Sequence, residues 1–328
     1  MKQSENPTTK PDESWGDRLL DRSVVGGYTN LGYRLRRGTW EADDPRPDVL
    51  RGRVAVVTGA SSGLGKATAA ALAGLGARVH LVVRDPAKGR DAVAEIRRDV
   101  PAAELHVHRC DVSDLTSVRT AAGELLERLD RLDVLVHNAG TMPPERSVTA
   151  EGHELSYATH VLGPVLLTEL LRPLLAAAAP ARVVVVSSGG MYTQRIPADD
   201  PEFEQGEYTG STAYARTKRM QVALTPLMQE RWAADGIAVH TMHPGWADTP
   251  GVVTSLPGFH KVMGPLLRDP ASGADTVVWL AATEPAPGGG QFWHDRAPRP
   301  DHYLPLTRDR GGEAERLWAR VLEDLALT

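Results

Sequence analysis

Tyr214 and Lys218 stand four residues apart in Tyr214-Ala215-Arg216-Thr217-Lys218. At that spacing two residues share one face of a helix, so the phenol and the ammonium can meet. A neighbouring ammonium favours phenolate over phenol and pulls a tyrosine pKa down from about 10. Such a pair suits proton transfer near neutral pH. Upstream, Val185-Val186-Ser187-Ser188-Gly189 brings hydroxyls to the end of an apolar run. A serine there can donate to a carbonyl and stabilise charge growing on its oxygen.

A second pattern offers a place for a dinucleotide. Thr58-Gly59-Ala60-Ser61-Ser62-Gly63-Leu64-Gly65 follows one apolar run and precedes a helical stretch. Glycine permits the tight turn and lets backbone N–H groups approach a pyrophosphate, and the helix N-terminus adds partial positive charge. The next strand closes on Val82-Val83-Arg84-Asp85. The slot where an acidic residue would take a ribose 2′-hydroxyl falls on apolar Val83. The Arg84 guanidinium that follows can pair with a 2′-phosphate. NADP(H) is therefore the expected cofactor, and Asp85 keeps NAD(H) as second choice. Asp111-Val112 closes a third strand, where a carboxylate can accept from an adenine amino group. Asn138-Ala139-Gly140 closes a fourth, where small residues let the backbone pass close to the cofactor.

The elements that must position these residues alternate. Apolar strands are expected at Val54–Thr58, Arg78–Val83, Leu105–Cys110, Val134–His137, Val183–Ser187 and Ile237–His243, with a last one around Gln291–Asp295. Helical stretches such as Lys66–Leu75 and Leu115–Leu129 lie between them. Near-continuous Val, Ile and Leu runs indicate strands buried on both faces. The fold class is α/β: a Rossmann-type, doubly wound parallel sheet with helices on both faces. The expected organisation is a polar, disordered tail over 1–17, an amphipathic extension and linker over 18–50, and one catalytic domain over 51–328. Within the extension, 19–40 reads as a short amphipathic helix weakened by Gly26, Gly27 and Gly32.

Thr58–Gly65, Asn138-Ala139-Gly140, Ser188, Tyr214-x-x-x-Lys218 and Pro244-Gly245 occur in the order and rough spacing of the short-chain dehydrogenase/reductases. The chain resembles that family over about 51–300. The resemblance implies a hydride-transferring oxidoreductase acting on a carbonyl or alcohol. Within it, Ser188 rather than Ser187 is the catalytic serine, Tyr214 the acid/base, and Lys218 a second ligand of the nicotinamide ribose. Pro244, Gly245, Ala247 and Thr249 fall where the family grips the nicotinamide carboxamide. Many members carry an asparagine in the helix after the fourth strand, and His160 stands in that slot here. It can replace a proton relay, since imidazole donates and accepts, or it can simply pack. The longer Ser188-to-Tyr214 spacing reads as an acidic surface insertion over 194–210. Residues 250–269, with Val252, Val253, Leu256, Phe259, Val262, Met263 and Leu266, lie in the expected place for a substrate lid; their apolar character suggests a lipophilic substrate and equally suits a plain core-packing helix.

The net charge of −5 gives no electrostatic case for nucleic acid. Cys110 is the only cysteine, which excludes an intrachain disulfide and fits a cytoplasmic setting. No stretch is expected to span a bilayer: Val161–Val186 is interrupted by Glu169, Arg172, Pro173, Pro180 and Arg182. Residues 19–40 permit peripheral membrane contact, though packing on the domain is the preferred reading. No metal is expected, and a homo-oligomer is permitted. The competing functional reading is an NADP(H) sensor or scaffold on an inactive fold.

Overall fold

The computed structural model describes residues 17, 20, 23–248 and 257–327. Eight strands form one sheet: β1 (Val54–Thr58), β2 (Arg78–Val83), β3 (Leu105–Arg109), β4 (Val134–His137), β5 (Ala181–Val186), β6 (Ile237–Met242), β7 (Gln291–His294) and β8 (Ala297–Pro298). Their order is β3-β2-β1-β4-β5-β6-β7-β8. All neighbours are parallel except the β7–β8 hairpin. β1 is buried at every position because helices cover both faces, which is why its run lacks polar alternation. The expected strands are present with ends shifted by one or two residues, as frayed ends allow. The order reverses between β1 and β4, so their carboxyl ends open into a crevice where such sheets bind ligands.

The main helices are α1 (Val24–Tyr28), α2 (Asn30–Arg37), α3 (Gly63–Gly74), α4 (Pro86–Asp99), α5 (Leu115–Arg128), α6 (Gly163–Ala177), α7 (Gly210–Trp232), α8 (Pro257–Met263), α9 (Pro270–Ala282) and α10 (Glu313–Asp324). Leu125, Leu166, Met220 and Trp232 from α5, α6 and α7 build the core on one face of the sheet. Leu72, Val93 and Leu280 from α3, α4 and α9 build it on the other. A π-helical turn, Ala158–Leu162, leads into α6.

Four expectations change. The helical run Leu155–Ala177 is long and apolar enough to cross a membrane by composition, and Pro173 lies inside α6 without ending it. Two-thirds of its most apolar window is buried, because α5 and α7 pack on it as a core helix. The N-terminal extension is two helices rather than one, broken at Thr29, whose ψ of 173° is extended. Its glycines serve a close crossing: a Cβ on Gly32 would collide with the carbonyls of Gly26 and Gly27. Amphipathicity is partly inverted there, with Arg36 buried while Leu31 and Leu35 are 59% and 54% exposed. Asp17, placed in the disordered tail by composition, pairs with Arg36 and with Arg299 at 2.7 Å. Finally, 194–210 is a packed segment rather than a surface insertion. Ile196, Glu202 and Phe203 are buried, and Glu202 accepts from Glu154 N at 2.8 Å.

Candidate active site

A cavity of about 1020 Å³ runs along the carboxyl ends of β1 to β6. At one end is the glycine turn. Gly59 has φ +66°, and a Cβ there would lie 2.8 Å from Ala139 Cα. Both constraints exclude a side chain, so the β1 and β4 turns can touch. Thr58 Oγ1 accepts from Asn138 N and Ala139 N at 3.0 and 3.1 Å. Asn138 Nδ2 donates to Thr58 O at 3.0 Å. Asn138 thus locks two loops together rather than facing the cavity with a free amide.

Gly59, Ser61, Ser62, Gly63 and Leu64 line this end, while Gly65 is buried against Gly59 and Asn138. Ser62 caps α3 without a side-chain hydrogen bond, so the first N–H groups of the helix stay available to an anion. Asp85 spends its carboxylate on the α4 cap, accepting from Ala87 N at 2.8 Å. Arg84 and Lys88 line the same rim and are exposed. Asp111 Oδ1 accepts from Ser113 N at 3.0 Å and Ser113 Oγ at 2.7 Å. Its other oxygen makes no such bond among the described residues. Val112 also lines the wall. This cradle of small turns, open helix N–H groups and cations at the rim fits a phosphorylated dinucleotide.

The opposite end holds the acid/base candidates. Ser188 and Tyr214 both line the cavity. Ser187 also lines the cavity but is buried, its hydroxyl committed to Lys218 O at 2.9 Å. Lys218 Nζ donates to Val186 O at 2.8 Å and lies 5.4 Å from the centre of the Tyr214 ring. Burial pushes the Lys218 pKa down to about 7. Burial also pushes the Tyr214 phenol above its ordinary value, partly offset by the nearby Ser188 hydroxyl. The expected lowering by Lys218 is therefore not the dominant effect: the ammonium is directed to a backbone carbonyl, and desolvation outweighs it.

His160 sits in the π turn, buried, with its ring edge-on to Tyr214 at 5.4 Å. Nε2 accepts from Thr141 N at 3.0 Å, which leaves Nδ1 protonated to donate to Thr217 Oγ1 at 2.7 Å. Burial, and then the charge of Lys218, hold its pKa far below 6.5. The ring is neutral and both nitrogens are engaged. It ties the β4 loop to the helix that carries Tyr214.

Asn138, Ala139, Gly140, Pro244, Gly245 and Ala247 line the cavity. Thr249, Val252, Val253 and Leu256 lie outside the described residues, as do the side chains of Phe259 and Val262. Sequence reading missed Thr141, Met142, Leu155, Thr193, Gln194 and Trp246, which line the catalytic end. Only their closeness to recognised motifs could have flagged them. Among the described residues, His153, Glu202 and Asp324 bring ligand atoms within 4.8 Å of one another. Arg320 already bridges the two carboxylates, at 3.4 and 2.7 Å.

Comparison with known proteins places this geometry. A model of the short chain dehydrogenase family matches residues 53–257. Dehydrogenase/reductase SDR family member 12 of Bos taurus is 43% identical over 304 residues, covering 91% of this chain and 94% of the relative. Human retinol dehydrogenase 14 is 34% identical over 322 residues, covering 92% and 91%. The Pseudomonas aeruginosa RhlG/NADP active-site complex superposes with a TM-score of 0.62 at 25% identity, covering 75% of this chain and 96% of that one.

Proposed function

The chain belongs to the short chain dehydrogenase family, an oxidoreductase family that uses nicotinamide cofactors, and we propose that it interconverts a carbonyl and an alcohol with NADP(H). The carrying observation is that Ser188, Tyr214 and Lys218 line one cavity together with the glycine turn.

The glycine turn and the α3 N-terminus would hold the pyrophosphate, Asp111 the adenine, and Pro244, Gly245 and Ala247 the nicotinamide. When bound, the cofactor supplies or takes up the hydride. The chain's own residues handle the oxygen and its proton. Ser188 donates to the substrate oxygen and stabilises charge as it builds. Tyr214 gives its proton to that oxygen in reduction and takes it back in oxidation. Because burial raises the phenol pKa, Tyr214 is protonated at neutral pH and ready to act as an acid. A charged Lys218 opposes that rise and favours proton release. His160 acts through Thr141 and Thr217 rather than on substrate.

Cofactor preference rests on Arg84 and Lys88 at the rim, with Asp85 committed to a helix cap. The RhlG structure holds NADP, in keeping with this choice. The catalytic end pairs apolar Met142, Leu155 and Trp246 with neutral Thr193, Gln194, Ser211 and Thr212. Lys218 is the sole charged residue at that end among those described. A small, neutral, lipophilic substrate suits this wall, and retinol dehydrogenases among the relatives act on an alcohol of that kind by name.

The test is a screen of neutral aldehydes and ketones for oxidation of NADPH and, separately, of NADH. Turnover with NADPH, faster than with NADH, supports the proposal. Tight NADPH binding with no turnover on any substrate would put a cofactor-sensing role in its place.

A further inference from the structure

One buried assembly beside the cleft takes no part in the chemistry above. Tyr28, the last residue of α1, is 3% exposed and stands behind both walls of the catalytic end. A Cβ built on Gly189 would fall 2.8 Å from the Tyr28 ring. Gly189 directly follows Ser188 and is absent from the positive-φ glycines. The ring, not the backbone conformation, is what requires a glycine there. On the other side, Tyr28 O accepts from Trp246 N at 2.8 Å and from Arg268 Nε at 3.1 Å. The ring edge meets His243, which precedes Pro244, with centroids 4.6 Å apart. One residue therefore touches the turn that carries Ser188 and the loop that runs from Pro244 to Ala247.

Buried charge holds Tyr28 in place. Gly27 O accepts from Arg268 Nη2 at 3.0 Å and Arg36 Nη1 at 3.1 Å. Both guanidiniums also pair with Asp295, at 2.9 and 2.8 Å. Asp295 and Arg296 form the β7–β8 turn with φ of +50° and +58°. Left-handed backbone in two residues other than glycine is strained, and the ion pairs hold it there. The N-terminal segment is thus fixed to the far edge of the sheet through partners that water does not reach.

We infer that Tyr28 is a positioning residue: its ring beneath Gly189 and its carbonyl on Trp246 set the spacing between Ser188 and the Pro244–Ala247 loop. The inference rests on the carbonyl chemistry proposed above, which places substrate and nicotinamide between those two walls. Catalysis by positioned groups tolerates little displacement, and an error of about 1 Å can cost about a hundredfold.

The experiment is a double-mutant cycle on the full-length chain, with kcat, KM and thermal melting measured for each variant. Tyr28→Ala and Gly189→Ala are each expected to lower kcat about tenfold while moving KM far less. In the Tyr28→Ala background, Gly189→Ala should add almost nothing, because the ring it would strike is gone. Tyr28→Phe keeps the ring and should stay within about threefold of wild type, since only the hydroxyl changes. Additive losses in the cycle, or wild-type kcat in folded Tyr28→Ala, overturn the inference. Should Tyr28→Ala fail to fold, Gly189→Ala decides alone, and wild-type kcat and KM there overturn it. Tyr214→Phe is assayed alongside. If it keeps full turnover, the chemical reading fails; if it loses turnover while the Tyr28 variants do not, only the positioning role fails.

Discussion

The two ends of the cleft are held by different physics. At the dinucleotide end the work is done by local geometry: Gly59 at positive φ, the side chains of Thr58 and Asn138 clasping two turns, and the open N-terminus of α3. At the catalytic end, the loop before Ala247 is braced by residues from across the chain. Arg36, Arg268 and Asp295 meet in a desolvated cluster under Tyr28. The first end depends on local geometry that a few glycines specify. The second depends on buried charges that must be mutually satisfied. Local geometry tolerates change in its surroundings, whereas a buried ion pair becomes costly once one partner is removed.

The largest expected effect follows from that contrast. Asp295→Asn removes the carboxylate shared by buried Arg268 and Arg36, leaving Arg268 only neutral acceptors among the described residues, and should cost about 3–5 kcal/mol of stability, read from urea unfolding. A loss below about 1 kcal/mol, the scale of an exposed pair, would erase the difference between the two ends. The same residue gives a pH signature. Burial works to raise its pKa, but Arg268 and Arg36 hold the carboxyl below its ordinary 3.8. A depressed folded pKa means the stabilisation is complete above the unfolded value and is lost as pH falls through the folded one. Acid unfolding of the wild type should therefore contain a step that Asp295→Asn lacks.

Next is His160→Ala, which removes the acceptor of the half-buried Thr141 N–H and the donor to Thr217 Oγ1 and should cost about 1–3 kcal/mol. Because the ring is neutral with both nitrogens engaged, the shape of the pH–rate profile should not change. A lost or shifted limb in that profile would return His160 to the proton relay. Arg84→Ala tests the dinucleotide end. NADPH binding should weaken by about 1–2 kcal/mol, the scale of a charge-assisted bond at an exposed rim, with NADH almost unaffected. Equal weakening of both cofactors would remove Arg84 from the 2′-phosphate. The smallest effect belongs to Leu31→Gln and Leu35→Gln. Both side chains face outward, so each change should stay within about 0.5 kcal/mol in thermal unfolding. A larger loss would mean that this face is covered.

The sequence made the dinucleotide end legible because its determinants are consecutive. Val54–Thr58, the glycines after it and Arg84 each announce a strand, a turn or a charge within a few residues. The same holds for Tyr214 and Lys218, one helical turn apart. The Tyr28 cluster could not be read that way, since Asp17, Arg36, Arg268 and Asp295 are joined only by folding. Arginine on an apolar helix reads as a solvated face, yet Arg36 is inside and Leu31 outside. Helical spacing misleads about the Tyr214 pKa for a related reason. Helical spacing shows that Lys218 can approach the phenol, but not that its ammonium is drawn to Val186 O. The acidity of 194–210 suggested a solvated loop, because nothing local shows that Glu202 meets Glu154 N.

Whether Tyr214 is the proton donor is tested most directly by Tyr214→Phe, measured by NADPH consumption with a carbonyl that the wild type reduces and by NADPH titration on the same preparation. The substitution removes the transferable proton and keeps the ring. Turnover should fall at least ~100-fold, the usual contribution of a positioned acid or base, while NADPH affinity stays close to wild type. Near-wild-type turnover in this variant would contradict the assignment and leave the cleft as a cofactor-binding site without its proposed chemistry.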